Sequence, residues 1–391
     1  MKYIEGIPVW GHPVDSDAVS QIQECQRHGG VKSALMADHH VGYSMPIGGV
    51  VAYQNAVSPS GVGYDIGCGN KAVRLDLKYE AIAGSIKKIM DDIVGQISFG
   101  MGLSNNFRVE HELFDDVAWK LPMVKPLKQK AQAQLGTVGG GNHYVDLFRD
   151  ENDNVWIGVH FGSRGLGHKI ATHFLEVGGG KEGMFVPPTV FQLGTPVGDD
   201  YLEAMRLGGL YAYAGRDWVT EQVRRILGAK VVDEVHNHHN YAWKEEHFGE
   251  TLVVVRKGAT PAFPGQRGFV GGSMGDISVI LEGVDSEESR AGLYSTVHGA
   301  GRVMSRRKAI GKWNKLTREY EGGAVSMKSM LRWVSERGVE LRGGGPDESP
   351  HVYKRLPEVL EHHGQTVKIL HTLTPVGVAM AGSDVFDPYK D

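Results

Sequence analysis

Cysteine is scarce: the 391-residue chain has two, Cys25 and Cys68. That excludes a disulfide framework and makes a cytoplasmic protein the expectation. No run of about 18 uninterrupted apolar residues is present, so no membrane-spanning helix is expected. The opening MKYIEGIPVWGHPVDSD lacks a basic stretch followed by an apolar core and does not read as a signal peptide. Basic excess is missing too. Lys+Arg number 42 against 46 Asp+Glu, a net charge of −4. A generally basic nucleic-acid binder is thereby excluded, and any polyanion must meet a local basic patch. No Walker A motif occurs, because GGGNH and GGSMG lack its Lys-Ser/Thr ending. No low-complexity linker, fixed-period repeat or composition shift marks a boundary. Residues 1–391 are expected to form one domain.

Glycine and histidine are what the chain has in quantity, 54 and 18 residues. The glycines follow no collagen period. They cluster in MADHHVGYSMPIGG (36–49), GVGYDIGCGN (61–70), LGTVGGGNHYVDL (135–147), VHFGSRGLGH (159–168), VHNHHNYAWKEEH (235–247), GGSMGDIS (271–278) and VHGAGRVMSRR (297–307). Such clusters suggest tight turns around a site. Apolar spacing predicts helices over 15–30, 80–98, 200–228, 326–339 and 354–363. Alternation or short apolar runs predict strands over 71–77, 154–161 and 251–258. The elements interleave without a βαβ rhythm. The expected class is α+β: one complex domain of mixed sheets flanked by helices.

Asp65 and Cys68 lie three residues apart in DIGCG, where Gly67 and Gly69 permit a tight turn. A carboxylate and a thiolate so spaced can hold one divalent ion or bridge two. A buried structural cysteine is the plainer reading of Cys68 alone. His143 and His160 add imidazoles. If HNHHN is extended, His236 and His238 share one face and His239 takes the other, followed by the amide of Asn240. A set of Asp65, Cys68, His143, His160 and His239 would suit Mn²⁺, Zn²⁺, Co²⁺ or Fe²⁺ better than Mg²⁺ or Ca²⁺.

Four segments pair glycines with cations: GSRG (162–165), RKGATPAFPGQRG (256–268), GGSMG (271–275) and GAGRVMSRRK (299–308), the last running on to Lys312, Trp313 and Lys315. Backbone nests and guanidinium forks match phosphate geometry. A solvated helix face is the alternative for the final run. His298 is an imidazole followed by Gly-Ala-Gly and then Arg302. Such an imidazole can attack an α-phosphorus and form a phosphoramidate.

The seven segments, in order from DHHVGYSMPIGG to YKRLPEVL at 353–360, resemble the RtcB family of GTP-dependent RNA-splicing ligases. The resemblance implies a deep metal and nucleotide cleft with two Mn²⁺ ions. Asp65, Cys68, His143, His160 and His239 match the metal ligands, with the thiolate bridging. His298 matches the histidine that becomes guanylylated. Asn142, Asp146, Asn240, Ser273, Ser278, Gly299, Ala300, Gly301, Arg302 and Tyr353 match nucleotide contacts. Arg164, Arg306 and Arg307 are implied to face RNA phosphates. The implied reaction joins RNA 3′-phosphate or 2′,3′-cyclic phosphate ends to 5′-hydroxyl ends through histidine-GMP, in splicing or repair, with an archease-like activator as a further implied partner. A metal-dependent phosphatase or cyclic phosphodiesterase is the competing expectation, and it needs no protein–GMP adduct. Two positions depart from the family pattern. Asp146 stands where a glutamate is usual, and Met380 stands near the place of a tail lysine, both at the guanine base. Lys390 is an alternative source of that lysine.

Overall fold

The computed structural model describes residues 1–105, 107–314 and 319–383. Lys315 and Lys390 lie outside them.

Local chemistry sets the ends of the main helices. Asp15 caps Ser16–Arg27 by accepting from the backbone N–H groups of Asp17 and Ala18. The helix Pro196–Leu227 starts with a Thr195 cap and a proline in its first turn, and stops at Gly228 in the left-handed region, φ 65°. Its buried stripe runs through Tyr201, Ala204, Met205, Gly208, Ala212, Gly215, Arg216, Val219 and Val223. Helical spacing predicts this face, and an arginine inside it stands out.

Four expected helices are shorter than their apolar spacing, of which 15–30 narrows to Ser16–Arg27. Over 80–98 the chain makes two 3₁₀ turns, Tyr79–Ala81 and Ala83–Ser85, before the helix Ile86–Gln96. Gly84 weakens helical preference in the first part. The 354–363 segment keeps only Leu356–Glu361, because Pro357 confines the start. The 326–339 segment forms Met327–Glu336.

Two large sheets carry the fold. One has six strands in the order Lys2–Ile4, Ile7–Val9, Gly30–His40, Ile47–Tyr53, Glu250–Lys257 and Asn240–His247. The other has eight. Its path is Val231–His238, Gly69–Lys78, Asn154–Phe161, Tyr144–Arg149, Val367–Gly382, Ser278–Gly283 and Arg267–Val270, with Glu340–Gly344 parallel to Val367–Gly382. Mixed pairing and irregular strand order fit the expected α+β class.

The chain crosses between the sheets at one residue. Val231–His238 is an edge of the eight-stranded sheet, Asn240–His247 an edge of the six-stranded one, and His239 joins them. The crossing is tied to the DIGCG loop: His239 N–H donates to Cys68 O at 2.8 Å, and Gly67 N–H donates to Asn240 O at 2.8 Å. Strand alternation sends His236 and His238 toward the long helix, where both rings pack on Tyr213. His239 is free to turn the other way, as extended HNHHN predicts.

Candidate active site

Where the ends of both sheets meet, a cavity of about 280 Å³ opens. Its walls include Asp65, Cys68, His143, His160, His239 and His298. These donors come from segments far apart in sequence.

Two groups of donors share Cys68. Asp65, Cys68 and His143 form one, and Cys68, His160 and His239 the other, with the candidate ligand atoms of each group within 4.8 Å of one another. Asp65 Oδ2 lies 3.0 Å from His143 Nε2, and Cys68 Sγ lies 3.3 Å from His160 Nε2 and 3.8 Å from His143 Nε2. Backbone carbonyls fix two of the rings. His143 Nδ1 meets Val138 O at 3.0 Å and His160 Nδ1 meets Asn142 O at 3.2 Å, which leaves Nε2 of each facing the cavity. His239 Nδ1 is buried without a hydrogen-bond partner. Burial holds the imidazoles of His160 and His239 neutral, well below their ordinary range, aided by neighbouring histidines. Burial alone would raise Asp65, yet the His143 hydrogen bond and charge bring it down to about 2. Burial, with Asp65 beside it, pushes the Cys68 thiol well up. A cation at Cys68 therefore has to displace a proton. Imidazoles, a carboxylate and one shared sulfur fit a pair of borderline divalent ions. Gly162 makes the room: a Cβ there would stand 2.2 Å from Asp65 Oδ1.

His298 follows the strand Ser295–Val297, and its ring centroid is 4.9 Å from that of His239. Its Nδ1 is 2.6 Å from Asp38 Oδ2, and the same oxygen accepts the His298 N–H at 3.1 Å and the Gly299 N–H at 3.3 Å. Asp38 is fully buried. Burial works against its charge, but the His298 contacts prevail and its carboxyl is held below the ordinary range. Gly301, at φ 78°, lets the two segments touch, because a Cβ would sit 2.3 Å from Asp38 O.

Beyond His298 lies a polar wall. Arg302 donates to Asp347 O at 2.7 Å and to the Tyr353 hydroxyl at 3.0 Å. Tyr353 donates to Glu348, and Glu348 also accepts from Arg306 Nε at 2.8 Å. Arg302 and Arg306, both charged, hold Glu348 ionised in spite of its burial. At the other end, Asp146 and Met380 line the cavity from neighbouring strands. Tyr144 pairs with Met380 and Asp146 with Val378, so all four share one face. Asp146 Oδ1, Ser273 Oγ and Tyr144 OH are buried without partners. Burial pushes the Asp146 carboxyl well up.

Asn142, Asn240, Gly299, Ala300 and Gly301 also line the cavity. Asn240 Oδ1 accepts the Gly258 N–H at 2.7 Å. Ser278 is set behind the wall, where its Oγ accepts the Gly272 N–H at 3.0 Å. Arg164 is buried beneath the 137–139 turn, with weak 3.4 Å bonds to Thr137 Oγ1 and Gly100 O. Arg307 is exposed and outside the cavity wall.

The glycine-cation segment at 256–268 does not serve phosphate. Arg256 is fully buried and forks onto Glu245 at 2.7 and 3.0 Å, Arg267 forks onto Asp233, and buried Lys257 donates to Tyr43 O. Strand register buries Arg256 and Lys257 and pairs Arg267 with Asp233, which composition does not reveal. Sequence reasoning also missed Asp38 and Glu348. MADHH offered a signal for Asp38, an acid placed just before two histidines in an apolar strand. GGGPDESP offered little for Glu348.

A third donor group, Asp150, Glu151 and His371, lies at the end of two central strands of the eight-stranded sheet, opposite the end that carries Tyr144 and Met380. Among the described residues, no helix is long and apolar enough to cross a membrane.

The chain matches the family described as tRNA-splicing ligase RtcB over residues 19–121 and 116–381. It is 33% identical to the RNA-splicing ligase RtcB of Escherichia coli K12, with 95% of this chain and 96% of that protein covered. The tRNA-splicing ligase RtcB of Thermococcus kodakarensis is 30% identical, with 89% and 87% covered. That of Archaeoglobus fulgidus is 30% identical, with 94% and 91% covered. The match runs through every segment that builds the cavity, and the chain belongs to the RtcB family.

Proposed function

We propose that this chain is an RNA ligase that uses GTP and two Mn²⁺ ions to join 3′-phosphate or 2′,3′-cyclic phosphate ends to 5′-hydroxyl ends. One observation carries the reading: an imidazole clamped through Nδ1 by a buried carboxylate stands beside two donor groups that share a cysteine.

Asp65, Cys68, His143, His160 and His239 would hold the ions, with Cys68 between them. When bound, such ions neutralise phosphate charge and polarise the phosphorus. The remaining work belongs to the chain. Asp38 keeps the proton of His298 on Nδ1 and leaves the Nε2 lone pair toward the cavity. Nε2 attacks the α-phosphorus of GTP, an N–P bond forms, and pyrophosphate leaves. Asp38 then faces the positive charge that the ring acquires. A 3′-phosphate oxygen displaces His298 and takes the GMP. A 5′-hydroxyl attacks the activated 3′-phosphorus, its proton departs, and GMP leaves with the electron pair of the broken P–O bond. A cyclic phosphate is first opened by water to the 3′-phosphate. Arg302 and Arg306 supply charge to phosphate oxygens along the wall. The cavity wall draws on residues 40–380, which supports 1–391 acting as one ligase unit.

The base end supports a weaker hold on guanine. The N1–H/N2–H₂ edge is best met by a carboxylate with two acceptors. Burial favours the protonated form of Asp146, which offers one acceptor and one donor. Met380 brings no cation to ionise it.

The test is incubation with α-labelled GTP and Mn²⁺, then a denaturing gel and peptide mapping. Label on His298, lost in His298→Ala with metal content unchanged, is expected. RNA-end hydrolysis with no adduct would point instead to a phosphatase or phosphodiesterase.

A further inference from the structure

The long helix Pro196–Leu227 buries Arg216 completely. A guanidinium taken out of water normally meets a carboxylate. No carboxylate among the described residues pairs with this one. The adjacent Asp217 turns to Lys71 at 2.6 Å and to His236 at 3.4 Å. Arg216 instead donates to neutral acceptors: Gly67 O at 2.9 Å, Phe161 O at 2.6 Å and His236 Nε2 at 2.8 Å, while its Nη2 lies 3.0 Å from His238 Nδ1, which itself meets Gly67 O at 2.9 Å.

The choice of acceptors is informative. Gly67 precedes Cys68, Phe161 follows His160, and His238 precedes His239. These are the three donors of one of the two groups. They come from a loop, a strand end and the crossing between the sheets, and a single planar cation touches the chain neighbour of each, within 3.0 Å. Tyr213, one turn earlier on the helix, has its ring 5.2 Å from the Arg216 guanidinium carbon and 3.9 Å from the His238 ring. The fork is thus held from behind.

We infer that Arg216 is a positioning residue of the metal centre, setting the mutual spacing of Cys68, His160 and His239 through their chain neighbours. The inference rests on the metal reading proposed above. A rigid fork with donors on all three nitrogens suits the task, and a lysine ammonium does not. The function is positional, since Arg216 bonds to none of the three donor side chains.

The full chain is titrated with Co²⁺ as wild type, Arg216→Lys, Arg216→Met and Val219→Ala. Val219 is a fully buried core residue on the same helix, so its truncation reports plain packing damage. Thiolate-to-cobalt absorption and the Tm are both recorded. Wild type is expected to bind with a thiolate band. Both Arg216 variants are expected to bind about 10- to 100-fold more weakly, the range typical of groups that orient ligands, with a displaced band at saturation. Val219→Ala is expected to lose Tm while keeping affinity and band. If Arg216→Met does not fold, Arg216→Lys decides by the same two readouts. Arg216 variants with the affinity and band of Val219→Ala would overturn the inference. A wild type without any thiolate band would instead overturn the metal reading itself.

Discussion

The contact between Asp38 and His298 gives the sharpest handle at the scale of single residues. A buried carboxylate that accepts from Nδ1 selects the tautomer with a free Nε2 lone pair. Asn at position 38 keeps the shape but offers no charge to the ring when it becomes cationic. Asp38→Asn is therefore expected to slow adduct formation by about a hundredfold or more, within the range for a positioned acid–base partner. Single-turnover labelling measures it, and an unchanged rate would show that Asp38 serves folding alone. Met380 gives a second handle. Its neighbour Asp146 is pushed toward the neutral acid by burial. A lysine at 380, diagonal to Asp146 across the strand pair, would draw that proton off and restore two acceptors. Met380→Lys is expected to tighten GTP and sharpen its preference over ATP, by about ten- to a hundredfold for a gain of 1–3 kcal/mol. Adduct yields across the triphosphates test this. Strict GTP selectivity in the wild type, untouched by the change, would rule it out.

Elements matter through what they fix at their ends. The strands Asn240–His247 and Glu250–Lys257 form an antiparallel pair whose open end, with Asn240 and Gly258, lines the cavity. Arg256 and Glu245 join the same two strands through a bidentate ion pair, and Arg256 also donates to Ser295 Oγ and Leu293 O. Those last bonds reach the segment that leads to His298. Burial alone would raise the Glu245 carboxyl, but Arg256 and His247 bring it below its ordinary value of 4.5. A depressed folded-state value means stability present above that ordinary value and lost as pH falls through the lower one. Glu245→Gln leaves the guanidinium buried and unpaired, a loss of about 3–5 kcal/mol. Urea unfolding at pH 7 should show that loss, and the difference from wild type should shrink as pH falls below about 4. A constant difference at all pH values would mean that packing, rather than charge, dominates.

For the whole molecule, charge has to be local because the total is −4. Arg306 lines the cavity, while Arg307, Lys308 and Lys312 are exposed just beyond it. RNA leaving the cavity along this edge would meet them. Replacing Arg307 and Lys308 with glutamate is expected to weaken RNA binding and to flatten its salt dependence, by about 0.7 in the log–log slope for each phosphate charge no longer neutralised. His298 guanylylation should be unaffected, since neither residue lines the cavity. Filter binding over a salt series reads the slope, and an unchanged slope would place the RNA elsewhere.

The kinds of chemistry were legible without coordinates. Donor types, glycine clusters and a histidine set among small residues belong to single segments, and each could be read where it stands. The helix over 200–228 and the strands over 154–161 and 251–258 were legible for the same reason, because periodicity is local. What only the tertiary structure decided is non-local. Asp38 and His298 are 260 residues apart, and no spacing rule links them. The burial of Arg256 against Glu245, which removes it from any phosphate, depends on strand register. In the sequence Arg216 is one polar residue in an apolar helical stripe. Its meaning emerged once three separate segments had closed around it, since hydrogen-bond partners are assigned by packing and not by composition.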